Sequence, residues 1–460
     1  MAFQLSPGVL VTEKDLTSVV PAVATTAGGF VGHFAWGPVG QVTTIDSENA
    51  LVNTFSKPNS LNFEHFFTAA NFLAYGNNLQ VIRVTNEGVS RNAVANAAAS
   101  AVIIKNEDHY TTNYSGGEAN VGEWAAKYPG TLGNSLKVSI ADANTWSTWG
   151  YATSFDAQPT TSTYTSDRGG SHDELHVAVI DEDGLWTGTA GTVLEKFAFA
   201  SKASDAKKSD GTSNYYRDVV NSSSKYVWWM DHTANVTGSG TAWGSTVTAA
   251  AFANLTSNVT VSLSGGLSST PSDGNLISGL SIFANSELYD VSLIPLADSS
   301  TAVTTYAISS VAEVRKDAIV FASPPRANVV SNSGSEATGV VNFRNGLPSS
   351  SYAVLDSGWK YQYDRYNDVY RWVPLNGDTA GLAVRTDFVA DPWFSPAGFN
   401  RGQIKNVVKL AWSPSQTDRD TLYKAGINPV VTFPGNGTVL FGDKTLLSKP
   451  SAFDRINVRR

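Results

Sequence analysis

At 460 residues the chain is too long for one ordinary hydrophobic core, so two or three domains are expected. Hydrophobic residues make up 42% and charged residues 16%, which suits packed interiors and excludes a disordered chain. A net charge of -8 speaks against general nucleic-acid binding, and the lack of any cysteine excludes disulfides, thiolate metal sites and cysteine nucleophiles.

No basic stretch followed by an apolar run marks Met1–Lys14, and no run of about 18 apolar residues occurs. Neither a secretory leader nor a membrane span is therefore expected. Residues 1–22 read as an extended arm. Ser6-Pro7-Gly8 is a turn signal, and Val9, Leu10 and Val11 form a β-prone run too short to stand alone.

From Gly28 to Gly37 the sequence GGFVGHFAWG alternates as a buried strand does. Asn62 stands as N-cap before Phe63, Phe66, Phe67 and Ala70, spaced as one helical face, with Gly76 closing the helix. Leu79–Val84 reads as a second strand, and strand–helix–strand points to an α/β core with a crossover.

Residues 87–263 change character, being rich in Ser, Thr, Gly, Asn and aromatics. Short strands are expected at Leu136–Ile140, Leu175–Ile180 and Tyr226–Met230, helices at Val193–Ala200 and Asn214–Val220, and a loop over Thr153–Thr165. The α/β pattern resumes near Leu263. A helix over Leu276–Phe283, a strand over Asp290–Ala297, a helix through Ile308, Val311 and Ala312, and a strand over Ala318–Ser323 follow. Ile404, Val407, Val408 and Ala411 recur at helical spacing, and Thr417–Ala425 reads as a helix stopped by Gly426. The fold class expected is α+β and multidomain, an α/β core interrupted by a β-rich inserted domain and preceded by an extended N-terminal arm.

Chemistry is sparse. No G-x-S-x-G elbow and no phosphate-binding G-x-x-x-x-G-K-[ST] occurs. His172-Asp173-Glu174-Leu175-His176 places two histidines four apart, as a metal pair would be, but departs from H-E-x-x-H and runs into a strand. Asp181-Glu182-Asp183-Gly184 and Pro434-Gly435-Asn436-Gly437 read as turns. Tyr361, Tyr363, Tyr366 and Tyr370 interleave with Lys360, Asp364, Arg365, Asp368 and Arg371, a polar–aromatic pattern that favours a protein–protein contact surface. No catalytic, metal or cofactor residue is assigned. An adhesin or carbohydrate-binding surface protein, drawn from the aromatic Ser/Thr-rich insertion, and a hydrolase using buried Asp and His are the competing classes.

Several segments in order along the chain are similar to the sheath proteins of T-even-type contractile phage tails. They include LSPGVLVTEKD from Leu5, GHFAWGP from Gly32, YGNNLQVIRV from Tyr75, YPGTLGNSLKV from Tyr128 and LSGGLSS from Leu263. SPPR from Ser323, Ser351–Asp387, Pro392–Trp412, GINPV from Gly426 and FDRINVRR from Phe453 continue the series. The resemblance implies an inner domain of residues 23–86 and 264–460 around an outer inserted domain of 87–263, with 88–127 a reduced protruding subdomain. It implies a non-enzymatic subunit of a virion tail, assembled in the host cytoplasm, needing no cofactor. Its implied partners are copies of itself, a tail tube protein, and baseplate and tail terminator proteins, with no nucleic acid and no membrane insertion. Pro7, Gly8, Val9, Leu10 and Val11 would carry the arm that adds a strand to a neighbour's sheet. At about 1 kcal/mol net per hydrogen bond such a strand is a modest tether, multiplied through a lattice. Family members continue beyond the INVRR motif, so assembly is expected to need that further segment. Contraction would be a rigid-body exchange of subunit contacts without nucleotide.

Overall fold

A computed structural model describes residues 26–97, 101–449 and 451–459. Pro7, Gly8, Val9, Leu10 and Val11 lie outside the described residues.

In chain order, β1 (Gly28–Gly32), β2 (Val42–Ile45) and β3 (Leu79–Arg83) come first, followed by β4 (Trp124–Ala126), β5 (Leu136–Asp142) and β6 (Glu174–Asp181). Then come β7 (Thr192–Ser201), β8 (Val227–Trp229), β9 (Val259–Ser262), β10 (Leu293–Pro295), β11 (Ile319–Ala322) and β12 (Ala353–Leu355). The last are β13 (Trp359–Asp364), β14 (Val369–Pro374), β15 (Lys409–Leu410), β16 (Val430–Phe433) and β17 (Gly437–Leu440). The fold is mixed α/β with several sheets.

The largest sheet has six strands in the order β12-β11-β10-β1-β3-β2. All neighbours are parallel except β2, which runs antiparallel to β3. Its strands come from before residue 84 and after residue 292, so the intervening chain leaves the sheet and returns. Alternation along each strand divides two cores. Val31, Ile82, Ile294 and Val320 face the helices Asp273–Ile282, Glu336–Asn345 and Gln416–Lys424, while Phe30, Val81, Leu293 and Phe321 face Glu48–Phe55, Phe63–Leu73 and Asn376–Val389. The helix Phe63–Leu73 starts where the sequence places it, but Asn62 gives its side chain to the Asn59 N–H and Ala74 is the C-cap. Asn376–Val389 lies so close to it that a Cβ at Gly377 would collide with the Thr68 carbonyl.

Between these two parts of the sheet, β7-β6-β5-β9 forms a four-stranded antiparallel sheet and β4 pairs with β8. Arg83 ties the two bodies of structure together. Its guanidinium is buried and donates to the carbonyls of Phe34 (3.0 Å), Gly37 (2.6 Å) and Pro129 (2.6 Å), and burial without a carboxylate partner lowers its pKa to about 9.

Three expectations are corrected. The strand at Gly28 ends at Gly32, well short of Gly37. Val193–Ala200 is not helical but lies in the ten-residue strand β7, because β6, apolar and buried along nearly its whole length, takes up its backbone; Phe199, at φ 53°, marks one irregularity. The apolar spacing of Ile404–Ala411 is not a helix either. The Ile404, Val408 and Ala411 amides donate to the carbonyls of Thr438, Tyr361 and Trp359, so other segments hold each donor that a helix would use.

Candidate subunit-contact surface

The tyrosine-rich stretch is a hairpin. Strands β13 and β14 pair antiparallel from Trp359↔Pro374 to Asp364↔Val369, and β15 adds to the other edge of β13. A two-residue period separates its residues by face. Lys360, Gln362 and Asp364 point inward, whereas Tyr361 and Tyr363 point the other way and meet Trp372 and Tyr370 across the strand pair.

On the inner face every polar group has a partner within the chain. Lys360, fully buried, donates to Asp378 Oδ1 and to the Lys405 carbonyl, both at 2.9 Å. Burial pulls the Lys360 pKa below its ordinary value and pushes that of Asp378 above its own, with each partner's charge opposing the shift. Gln362 accepts from the Asn71 side chain at 2.9 Å. Asp364, also fully buried, accepts from the Tyr366 and Asn367 amides and from Arg371 Nε at 2.8 Å. The Arg371 guanidinium lies 4.5 Å above the Phe63 ring.

Of the five charges expected at a contact surface, Lys360 and Asp364 are therefore interior, and Arg371 is spent on Asp364. Exposed charge on the hairpin belongs to Arg365 and Asp368. Arg365 lies 3.1 Å from Glu48 Oε1, which also accepts from the Tyr366 hydroxyl at 2.8 Å. Asp368 occupies the left-handed turn position at φ 53° and accepts from the Tyr363 hydroxyl at 2.7 Å. From this turn an outward aromatic face runs back along the hairpin. The Tyr361 ring is stacked 5.5 Å from Tyr370 and lies 4.7 Å from Trp372, and Lys409 is 5.1 Å above Tyr361. Tyr363 and Tyr370 remain about half exposed. Trp372 and Lys409 were not anticipated; the two-residue alternation carried into β14 would have found the first, and no local signal marks the second.

The other singled-out residues are structural. His176 is buried, its Nε2 paired with the Ala157 carbonyl at 2.9 Å and its Nδ1 accepting from the Phe199 amide at 3.0 Å, with the ring stacked on Phe155. Both ring nitrogens are thus occupied, and His172 sits in a left-handed turn at φ 60°. Asp181 accepts from Ser135, from the Trp186 and Thr187 amides and from the Thr187 hydroxyl, which holds its pKa below the ordinary value against the opposing effect of burial. Gly184 follows with φ 77°. Pro434–Asn436 connect β16 to β17 as a tight turn. Trp124, Trp228 and Trp229 are buried, so they are core rings and not exposed glycan platforms. Among the described residues no group of three or more His, Asp or Glu side chains is placed to hold a metal ion.

The family profile of the phage tail sheath protein central domain matches residues 280–446. The chain is 32% identical to the tail sheath protein of Enterobacteria phage T4, the match covering 99% of this chain and 84% of that protein. It is 31% identical to the tail sheath protein of Vibrio phage KVP40, again over 99% of this chain and 84% of the relative. The crystal structure of a sheath tail protein from Listeria innocua superposes with a TM-score of 0.55 at 12% identity, covering 95% of this chain and 73% of that one. At that identity the likeness concerns fold alone.

Proposed function

As this chain belongs to the phage tail sheath family, we propose that it polymerises around a tail tube and contracts to drive the tube through a host envelope. The single observation that carries the reading is the match to the T4 and KVP40 tail sheath proteins over 99% of the chain. The role is structural: work comes from exchanging contacts between copies, with no side chain making or breaking a substrate bond. Copies of the chain, a tube protein, baseplate and terminator proteins are the proposed partners, and the host cytoplasm the proposed place of assembly.

The domain division proposed is an arm of residues 1–22, an inner domain of 23–86 and 264–460, and an inserted outer domain of 87–263. A six-stranded sheet built from chain on both sides of the insertion supports it. Residues 88–127 form the small lobe of that insertion, supported by a cluster of Val94, Ile104, Tyr110, Val121 and Ala125 against Trp228 and Met230.

Two contact elements are proposed. Pro7–Val11 supplies a strand to a neighbouring copy, and the outer hairpin face, Tyr361, Tyr363, Tyr370 and Trp372 flanked by Arg365 and Asp368, meets a neighbour's surface. Aromatic rings with charge at the margin are the composition that protein interfaces favour. Electron microscopy of the purified chain, extended by the segment its relatives carry, is expected to show striated tubes. Reversing both exposed charges (Arg365→Glu with Asp368→Lys) should reduce tube formation while leaving the thermal melt in place. Tubes of undiminished yield from that variant remove the hairpin from the interface, and persistent failure of the unaltered protein to polymerise around a tube overturns the sheath reading.

A further inference from the structure

Pro434-Gly435-Asn436-Gly437, the turn between β16 and β17, holds one of three Asn-Gly pairs in the chain; the others are Asn345-Gly346 and Asn376-Gly377. An asparagine before glycine is prone to close on itself, because no side chain on the next residue shields its backbone nitrogen. Folding places the three pairs in different surroundings.

Asn376 is wholly buried. Its amide nitrogen donates to the Ala297 carbonyl (2.8 Å) and to Ser323 Oγ (3.1 Å), its oxygen accepts from the Ala297 amide (3.1 Å), and Gly377 is pressed against the Thr68 carbonyl. Asn345 is exposed, but it ends the helix Glu336–Asn345. The Gly346 amide donates to the Phe343 carbonyl at 3.1 Å, and the buried Arg344 anchors this end to the Leu446 carbonyl at 2.6 Å. That helical backbone holds the Asn345 carboxamide away from the Gly346 nitrogen. Asn436 is exposed, and its carboxamide has no hydrogen-bond partner among the described residues. Gly435 and Gly437 flank it at φ 79° and 75°, and around neither would a Cβ meet a non-neighbouring atom within 4 Å. Phe433↔Gly437 is the last rung of a two-stranded sheet, where opening costs least.

We propose that Asn436 is a site of spontaneous deamidation in the folded chain, and that Asn345 and Asn376 are protected. The Gly437 backbone nitrogen gives its proton to hydroxide and attacks the Asn436 side-chain carbonyl carbon. The bond from that carbon to the amide nitrogen breaks, and ammonia leaves with a proton from solvent. Water then opens the cyclic imide at either carbonyl, giving aspartate or isoaspartate. Both products add a negative charge. Isoaspartate also lengthens the backbone by one carbon between residues 436 and 437, which breaks the turn's register beside the Thr432–Thr438 hydroxyl pair (2.9 Å). Water is the sole co-reactant, and the step is independent of the sheath reading.

Peptide mapping by mass spectrometry of the full chain, kept folded at mildly alkaline pH, provides the test. The tryptic peptide Ala425–Lys444 should show the exchange of NH2 for OH several-fold faster than Asn345–Lys360, with Trp372–Arg385 unchanged. In urea the three should react at similar rates, because folding alone distinguishes them. Asn436 unreacted in the folded chain, or the three pairs reacting alike there, overturns the proposal. Hydrogen exchange reads the consequence for the hairpin. The β16 and β17 amides should exchange faster in the isoaspartyl chain than in Asn436→Asp, which carries the charge on an unlengthened backbone. Equal exchange overturns the loss of register.

Discussion

Two buried lysines, one beside the antiparallel sheet and one on the hairpin, solve the same problem unequally. Lys202 donates to Asp142 Oδ2 (2.9 Å) and to the carbonyls of His172 (2.9 Å) and Ala253 (3.2 Å), spending all three protons. Asp142 in turn accepts from the Leu255 amide on Oδ2, and from the Asn144 amide and Thr145 hydroxyl on Oδ1. Lys360 lies 2.9 Å from both oxygens of Asp378 and donates to one carbonyl; Asp378 Oδ1 also takes the Tyr75 hydroxyl at 3.0 Å, and Oδ2 has Lys360 alone among the described residues. A buried ion pair is tolerated to the extent that its remaining lone pairs and protons are satisfied. Among the described residues Asp142 has four donors and Asp378 two, so the pair beside the sheet is the more fully satisfied.

The comparison is most directly broken at Asp142. Asp142→Asn turns an amide N–H toward groups that are themselves donors and should cost about 3–5 kcal/mol in urea unfolding. Asp378→Asn can keep its oxygen on Tyr75 and Lys360 but turns its nitrogen toward the same ammonium, one donor clash against several at Asp142, so a smaller cost of about 1–3 kcal/mol is expected. Equal costs would end the distinction.

A pH scan sharpens it. Beside Asp378, Asp356 is wholly buried, and its pKa is pushed up to about 8 by burial, against the Ser323 hydroxyl and Gly358 amide that favour its charged form. The folded chain then keeps a proton that the unfolded chain releases near pH 4. Stability from this group is full below that value and is lost as pH rises toward about 8. Asp356→Asn should flatten the fall in melting temperature between about pH 5 and 8; an unchanged slope removes Asp356 as its source. The smallest effect is expected at the exposed Arg365. Arg365→Glu loses its Glu48 pair and its hydrogen bond to the Tyr366 hydroxyl, both at the surface, and should shift stability by about 1 kcal/mol or less. A larger loss in calorimetry would mean that the hairpin surface, like its interior, holds the subunit together.

Much of the architecture was legible locally. Helix faces at Phe63–Ala70 and strand runs at Leu79, Leu136, Leu175 and Ile319 carry periods strong enough to survive any partner. Val193–Ala200 and Ile404–Ala411 do not, because short apolar spacings fit both periods and the decision falls to whichever backbone is nearest: β6 for the first, and β13 with β17 for the second. The contact surface shows the same division. Its residue types were evident, but a two-residue alternation sent Lys360 and Asp364 inward and left Arg365 and Asp368 outside.

What the amino-acid order determined by itself was the kind of protein: a chain with α/β patterning on either side of a β-rich interruption, and collinear motifs shared with tail sheath proteins. Tertiary structure alone decided which charges remain available to another molecule. Pairing Lys360 with Asp378, Asp364 with Arg371 and Lys202 with Asp142 depends on segments 7 to 60 residues apart meeting in space. Only where a side chain is removed from water does its partner become obligatory.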